Sequence, residues 1–168
     1  MRKPPALLLA IFGLAAAPAL AQAPGNVTAA DRAAIAACVR ESGEMPRACI
    51  GTIAVVCTRQ PGAPRDGVEV ECSRREAAVW RERLDLALAA FAQRLESGAR
   101  SRLSALQRSW EAYSAQKCAF AAEVQPAAKA AAMQAACELR EVALRAIEVE
   151  RGLRRQERPG SRRPQIER

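Results

Sequence analysis

Apolar residues along this chain of 168 residues recur at three- and four-residue steps, and glycine or proline interrupts the pattern at intervals. That spacing belongs to amphipathic helices. Thr28 and Asp31 read as an N-terminal capping pair and predict a first helix over about 29–41, closed by Ser42-Gly43-Glu44. Pro46 suits the first turn of a second helix, whose apolar positions are Ile50, Ile53, Ala54 and Cys57. Residues 60–67, Gln-Pro-Gly-Ala-Pro-Arg-Asp-Gly, cannot continue it and predict a loop. A long third helix follows, with Trp80, Leu84, Ala87, Phe91 and Leu95 on one stripe, and Ser97-Gly98 interrupts it. The fourth carries Leu103, Leu106, Trp110, Tyr113 and Phe120 as its core stripe and stops at Pro126. The fifth shows Met133, Cys137, Arg140, Leu144 and Ile147 at alternating four- and three-residue steps. No stretch alternates with period two for long enough to form a strand, so the expected class is all-α.

The two ends fall outside this pattern. Arg2 and Lys3, an apolar run from Ala6 to Ala17, and the small residues of Ala19-Leu20-Ala21 together read as a signal peptide over 1–21, cleaved near Ala21. The apolar run is shorter than the roughly 20 residues a membrane span needs. A periplasmic or secreted location follows. From Gly152 onward Arg, Pro and Gly dominate, so residues 152–168 are expected to be a disordered tail. One helical domain over 22–151 remains between them.

That domain holds few aromatic residues, namely Trp80, Phe91, Trp110, Tyr113 and Phe120, and much alanine. Its core benefits from covalent help, which an oxidising compartment permits. Six cysteines allow 15 pairings. In an antiparallel hairpin, residues equidistant from the turn lie at one height, so a disulfide across it has its midpoint in the turn. Cys38 with Cys49, Cys57 with Cys72, and Cys118 with Cys137 all meet this condition. Cys49 with Cys57 does not, because eight residues of helix would hold them about 12 Å apart. Each of the three sequential loops is worth about 3 kcal/mol in the chain-entropy account. The expected architecture is thus a small disulfide-stapled bundle of antiparallel helical hairpins, about five helices in all, with a disordered basic tail.

Charge changes the picture only after it is divided. The chain carries +8 in total, but seven arginines against two glutamates give residues 151–168 +5, and the leader holds Arg2 and Lys3. Residues 22–150 are left at +1, so the basicity belongs to a tail and no nucleic-acid partner is expected of an exported protein. The chain has no histidine, which removes histidine-based triads and most hydrolytic zinc sites. It also lacks Cys-x-x-Cys and any phosphate-binding glycine loop. Glu138, Glu141 and Glu148 could share a helical face, but on so charged a helix they read as a solvated surface. The reading is a binding module, with no enzyme activity and no cofactor.

Two runs of residues carry a family likeness over about 45–150. The first is Cys49-Ile50-Gly51, Cys57, Cys72 and Trp80-x-x-Arg83-Leu84-Asp85. The second is Leu103-x-x-x-Gln107-Arg108-x-Trp110, Cys118-Ala119-Phe120, Cys137 and Arg145-Ala146-Ile147. Together they resemble the LprI-like lysozyme-inhibitor N-terminal family of exported bacterial proteins. The resemblance implies a periplasmic binding module that inhibits lysozyme by protein contact, with lysozyme or another envelope protein as partner. Trp80, Leu84, Asp85, Gln107, Arg108 and Trp110 are its motif residues, and the two tryptophans are expected in the core. Arg108 is placed either against Asp85 or a nearby glutamate, or in solvent. Glu69 and Glu71, or the Glu138 to Glu150 region, are the local acidic candidates for meeting a basic target. The alternative is an envelope protein whose arginine tail binds anionic lipid or wall polymer without inhibiting anything.

Overall fold

The computed structural model describes residues 27–60 and 67–157, and the leader, part of the 60–67 loop and residues 158–168 lie outside them. Five α-helices account for most of the described chain: α1 (Ala29–Glu41), α2 (Ala54–Thr58), α3 (Val68–Gln93), α4 (Ser97–Glu123) and α5 (Ala127–Glu157). A short 3₁₀-helix over Pro46–Cys49 sits between α1 and α2. No strand occurs among the described residues, and the class is all-α.

α1 starts where Thr28 and Asp31 close a capping box. The Asp31 amide donates to Thr28 Oγ1 at 3.1 Å, and the Thr28 amide donates to the Asp31 carboxylate at 2.8 Å. The same carboxylate accepts two bonds from Arg75 of α3, at 2.9 and 2.8 Å, so the cap also clasps α1 to its neighbour. The next residue, Arg32, forks onto Glu82 of α3 at 2.6 and 2.7 Å. Burial pushes the Asp31 carboxyl up, but the bonds from Arg75 and Thr28 outweigh it and hold it below its ordinary value.

The expected second helix is shorter than the pattern predicts. Gly51 adopts φ of 101°, which a side chain tolerates poorly, and the backbone turns there between the 3₁₀-helix and α2. The amide groups this turn leaves without helical partners point at Glu76 of α3, which is fully buried. One carboxylate oxygen accepts from the Gly51 amide at 2.7 Å and from the Trp80 indole at 3.1 Å. The other accepts from the Ile53 and Ala54 amides at 2.9 and 2.8 Å. A buried charge is tolerated when its lone pairs are filled in this way.

α3 and α5 form the core. Val79, Trp80, Leu84 and Ala87 of α3 pack against Leu139, Val142, Ala143, Ala146 and Ile147 of α5, and Ile35 of α1 closes one side. Alanines at 143 and 146 let the two long helices approach closely around Trp80, which is fully buried. The break before α4 falls at Arg94–Glu96, so Ser97-Gly98 opens α4 where the pattern placed an interruption. Arg100 reaches back to the carbonyls of Ala92 and Leu95, both at 3.1 Å, and satisfies the open end of α3.

Disulfides join Cys38 to Cys49, Cys57 to Cys72, and Cys118 to Cys137. They tie α1 to the 3₁₀-helix, α2 to α3, and α4 to α5.

Three further expectations need correction. On α4 the predicted core stripe faces outward: Leu106, Tyr113 and Phe120 are exposed, and the side toward α5 is made by Gln107, Trp110, Ser114, Cys118 and Ala122. On α5 Met133 and Arg140 are exposed, and the buried face passes through Ala135, Leu139 and Val142 instead. The helix also runs beyond Gly152 to Glu157, held by Arg151 donating to the Glu44 carbonyl at 2.8 Å and by Leu153 packing on the core.

Two outcomes follow for stability. Glu76→Ala leaves four buried donors without acceptors and is expected to cost about 3 to 5 kcal/mol in denaturant unfolding, with Glu76→Gln also destabilising because its amide opposes a backbone N–H. Asp31 has a depressed folded value, so its contribution is present above the ordinary aspartate range near about pH 3.9 and is lost as pH falls through the lower folded value. An Asp31→Asn variant is expected to be less stable at neutral pH and to lose less on acidification, read from unfolding midpoints across an acid series.

Candidate functional site

α5 lies between α3 and α4 and packs against both, so α3 and α4 diverge above it. The space between them is a groove of about 510 Å³. Its floor is Val142 with Ala77, Ala78 and Ala115, and one wall is the half-buried ring of Trp110. Val27, just before α1, closes an end. The rim is charged: Arg74, Arg81 and Glu82 come from α3, Glu111 from α4, and Glu138 and Glu141 from α5. Four carboxylates therefore meet two guanidinium groups around an apolar floor.

The carboxylates are not equally available. Glu82 is engaged by Arg32, whose hydrogen bond holds its carboxyl below the ordinary value. Glu141 accepts from Lys117 at 2.7 Å, and that bond raises the Lys117 ammonium above its own ordinary value. Glu111 takes Gln107 at 3.2 Å and Arg81 at 3.5 Å. Glu138, exposed, is bonded by Gln134 of its own helix at 2.9 Å. Arg81 spans the groove, since its guanidinium also lies 5.5 Å from the Trp110 ring centre.

Trp110 has a second cation close to it. Arg145 of α5 lies 5.9 Å from the ring centre, donates to Gln107 at 3.2 Å and pairs with Glu148 at 2.9 Å. Gln107 and Trp110 are three residues apart and so share a helical face, which both turn toward Arg145. The spacing of that motif thus positions α4 on α5 and fixes the groove wall.

The other motif residues fall elsewhere. Trp80 and Leu84 are in the core, while Trp110 is half-buried, packing against that core and lining the groove. Asp85 and Arg108 are both exposed, and among the described residues no hydrogen bond or ion pair joins them. Glu69 and Glu71 are exposed in the first turn of α3, where Glu71 pairs at 3.5 Å with Arg74 of the groove rim. Glu148 and Glu150 are occupied by Arg145 and Arg83. The sequence reading passed over Glu76, although its position four residues from both Cys72 and Trp80 places it on their buried stripe.

Among the described residues no cluster of three or more His, Cys, Asp or Glu side chains could hold a metal ion, and no helix is long and apolar enough to cross a membrane. What the arrangement can do is bind: an apolar floor with an aromatic wall buries a side chain, and the carboxylates orient a cationic one.

A family model described as Lysozyme inhibitor LprI matches residues 57–149. No curated protein matches the chain. No solved structure matches it either. The matched stretch runs from the last turn of α2 into α5 and takes in two of the three disulfides and every groove residue except Val27. The α1 hairpin with its Cys38–Cys49 bond precedes it.

Proposed function

The chain belongs to the lysozyme inhibitor LprI family, and on that premise we propose that it is an exported inhibitor that blocks a lysozyme by protein–protein contact through the groove between α3 and α4. The observation that carries this reading is the composition of the groove, where Trp110 stands beside an apolar floor and Glu138 stays exposed on the rim, while Glu82, Glu111 and Glu141 are engaged by Arg32, Arg81 and Lys117. Lysozymes of animal origin are typically basic, and a chain whose body is near neutral needs a local acidic surface to attract one. Trp110 supplies the kind of aromatic anchor that dominates contact energies, because its ring is already half-buried and lies 5.5 and 5.9 Å from two guanidinium groups. Inhibition then requires no chemistry from this protein. It occupies the target and keeps the wall polymer out.

The reading is tested by titrating the protein, disulfides intact, against several lysozymes acting on bacterial wall. Hydrolysis is expected to fall, and the effect to weaken as salt rises, since rim charges act through screened attraction. Trp110→Ala is expected to weaken inhibition by about 2 kcal/mol, with Glu138→Lys weakening it through slower association. Hydrolysis that stays unchanged against every lysozyme at saturating protein would remove the proposal.

A further inference from the structure

The outward face of α4 is the part of the fold that its own core does not use. Leu106, Tyr113 and Phe120 stand one heptad apart along it and are 62%, 58% and 64% exposed. Residues seven apart lie almost in line on a helix, so these three form one edge of the face. Ala105, Ala112 and Ala119 form the other edge, also at heptad spacing and also exposed. Ser109 and Gln116 lie between the two edges and carry no charge, while Arg108 flanks the alanine edge and Lys117 flanks the bulky one, its ammonium 5.8 Å from the Tyr113 ring centre and bonded to Glu141 at 2.7 Å. Charges of opposite sign stand at its ends, Arg102 at one and Glu123 at the other, both exposed.

This face is complementary to itself when a second copy runs antiparallel. A twofold axis passing between Ala112 and Tyr113 brings like edges together. The alanine edge of one copy then meets the alanine edge of the other, which lets the helices approach closely. On the bulky edge Leu106 meets Phe120 of the second copy, Tyr113 meets Tyr113, and Phe120 meets Leu106. The same axis sets Arg102 level with Glu123 of the second copy, and symmetry makes that pair twice. Parallel pairing would instead put Arg102 against Arg102 and Glu123 against Glu123. The stretch from Arg102 to Glu123 is about 32 Å long at 1.5 Å per residue, which gives the contact several turns of helix on each side.

We propose that two copies of this chain pair through the outward face of α4, antiparallel, to form a twofold-symmetric dimer. A twofold contact uses one patch on both partners, as this face requires. Heptad-spaced apolar residues on a helix are the pattern that pairs helices side by side. The face points away from the groove, because Trp110, Glu111, Ser114 and Ala115 occupy the opposite side of α4. Pairing therefore leaves both grooves open, and it stands whether or not a lysozyme is the target.

Sedimentation equilibrium of the disulfide-intact protein, with no lysozyme present, tests it over a wide concentration range. The expected result is a monomer–dimer equilibrium. Arg102→Glu and Glu123→Arg are each expected to raise the dissociation constant about tenfold, because each turns two symmetric attractions into repulsions. The double variant R102E/E123R restores opposite charges and is expected to return the dimer to near the original affinity. Tyr113→Glu is expected to leave a monomer whose helical content is unchanged. A chain that stays monomeric at every concentration overturns the proposal, as does a dimer indifferent to Tyr113→Glu or to both charge reversals. A monomer whose Tyr113→Glu variant loses lysozyme inhibition also overturns it, by giving the face to the target protein.

Discussion

A carboxylate buried without a cationic partner organises the N-terminal half of this fold. Glu76 projects from α3 into the turn around Gly51 and takes three backbone amides and the Trp80 indole on its two oxygens. Such a turn buries amide groups that no helix satisfies, and burying them unpaired would cost more than the segment gains. Glu76 meets that requirement from a distance of more than twenty residues in sequence. Because Trp80 donates to the same oxygen as Gly51, the placement of the turn and the placement of the core tryptophan are one event. The first two disulfides then hold what the carboxylate has arranged.

The C-terminal half depends on α5. It is the helix that touches both α3 and α4, and its alanines decide how closely α3 approaches. α4 is held to it by Cys118–Cys137 near one end, by Lys117 on Glu141, and further along by Arg145 against Gln107 and Trp110. These contacts all lie on one side of α4. The groove exists because nothing comparable draws α4 onto α3, apart from Arg81 reaching toward Glu111 and Trp110.

Much of this was legible before the coordinates. The existence and class of the long helices follow from periodicity, and the family likeness follows from the spacing of tryptophans and cysteines, which the family match over residues 57–149 shows. What periodicity cannot say is which way an apolar stripe faces. On α4 it marks Leu106, Tyr113 and Phe120, yet the side that meets α5 is built from a glutamine, a serine, a cysteine and alanine around Trp110. On α5 the buried face is rich in alanine, a weaker signal than Met133, so the inferred stripe shares Ile147 with the true face and departs from it at Met133 and Arg140. The second helix fails for another reason. Its boundaries are set by a glycine dihedral and by a glutamate on a different helix, and no local pattern carries either. The acidic groove was half visible, since Glu138 and Glu141 stood out as neighbours on one helix while Glu82 and Glu111 join them only through the fold.

The ion pairs on these helices are made by arginine, or by Lys117, with carboxylates, and the chain contains no histidine. Guanidinium groups stay protonated at any ordinary pH, and Asp31 and Glu82 are held below the usual carboxylate range. Histidine is the side chain whose ordinary titration falls between pH 5 and 8, and this chain does without it. The clasp between α1 and α3 is therefore built from groups whose charges are held in place, Asp31 and Glu82 below the usual carboxylate range and their arginine partners always protonated, so mild acidity gives this joint nothing to respond to.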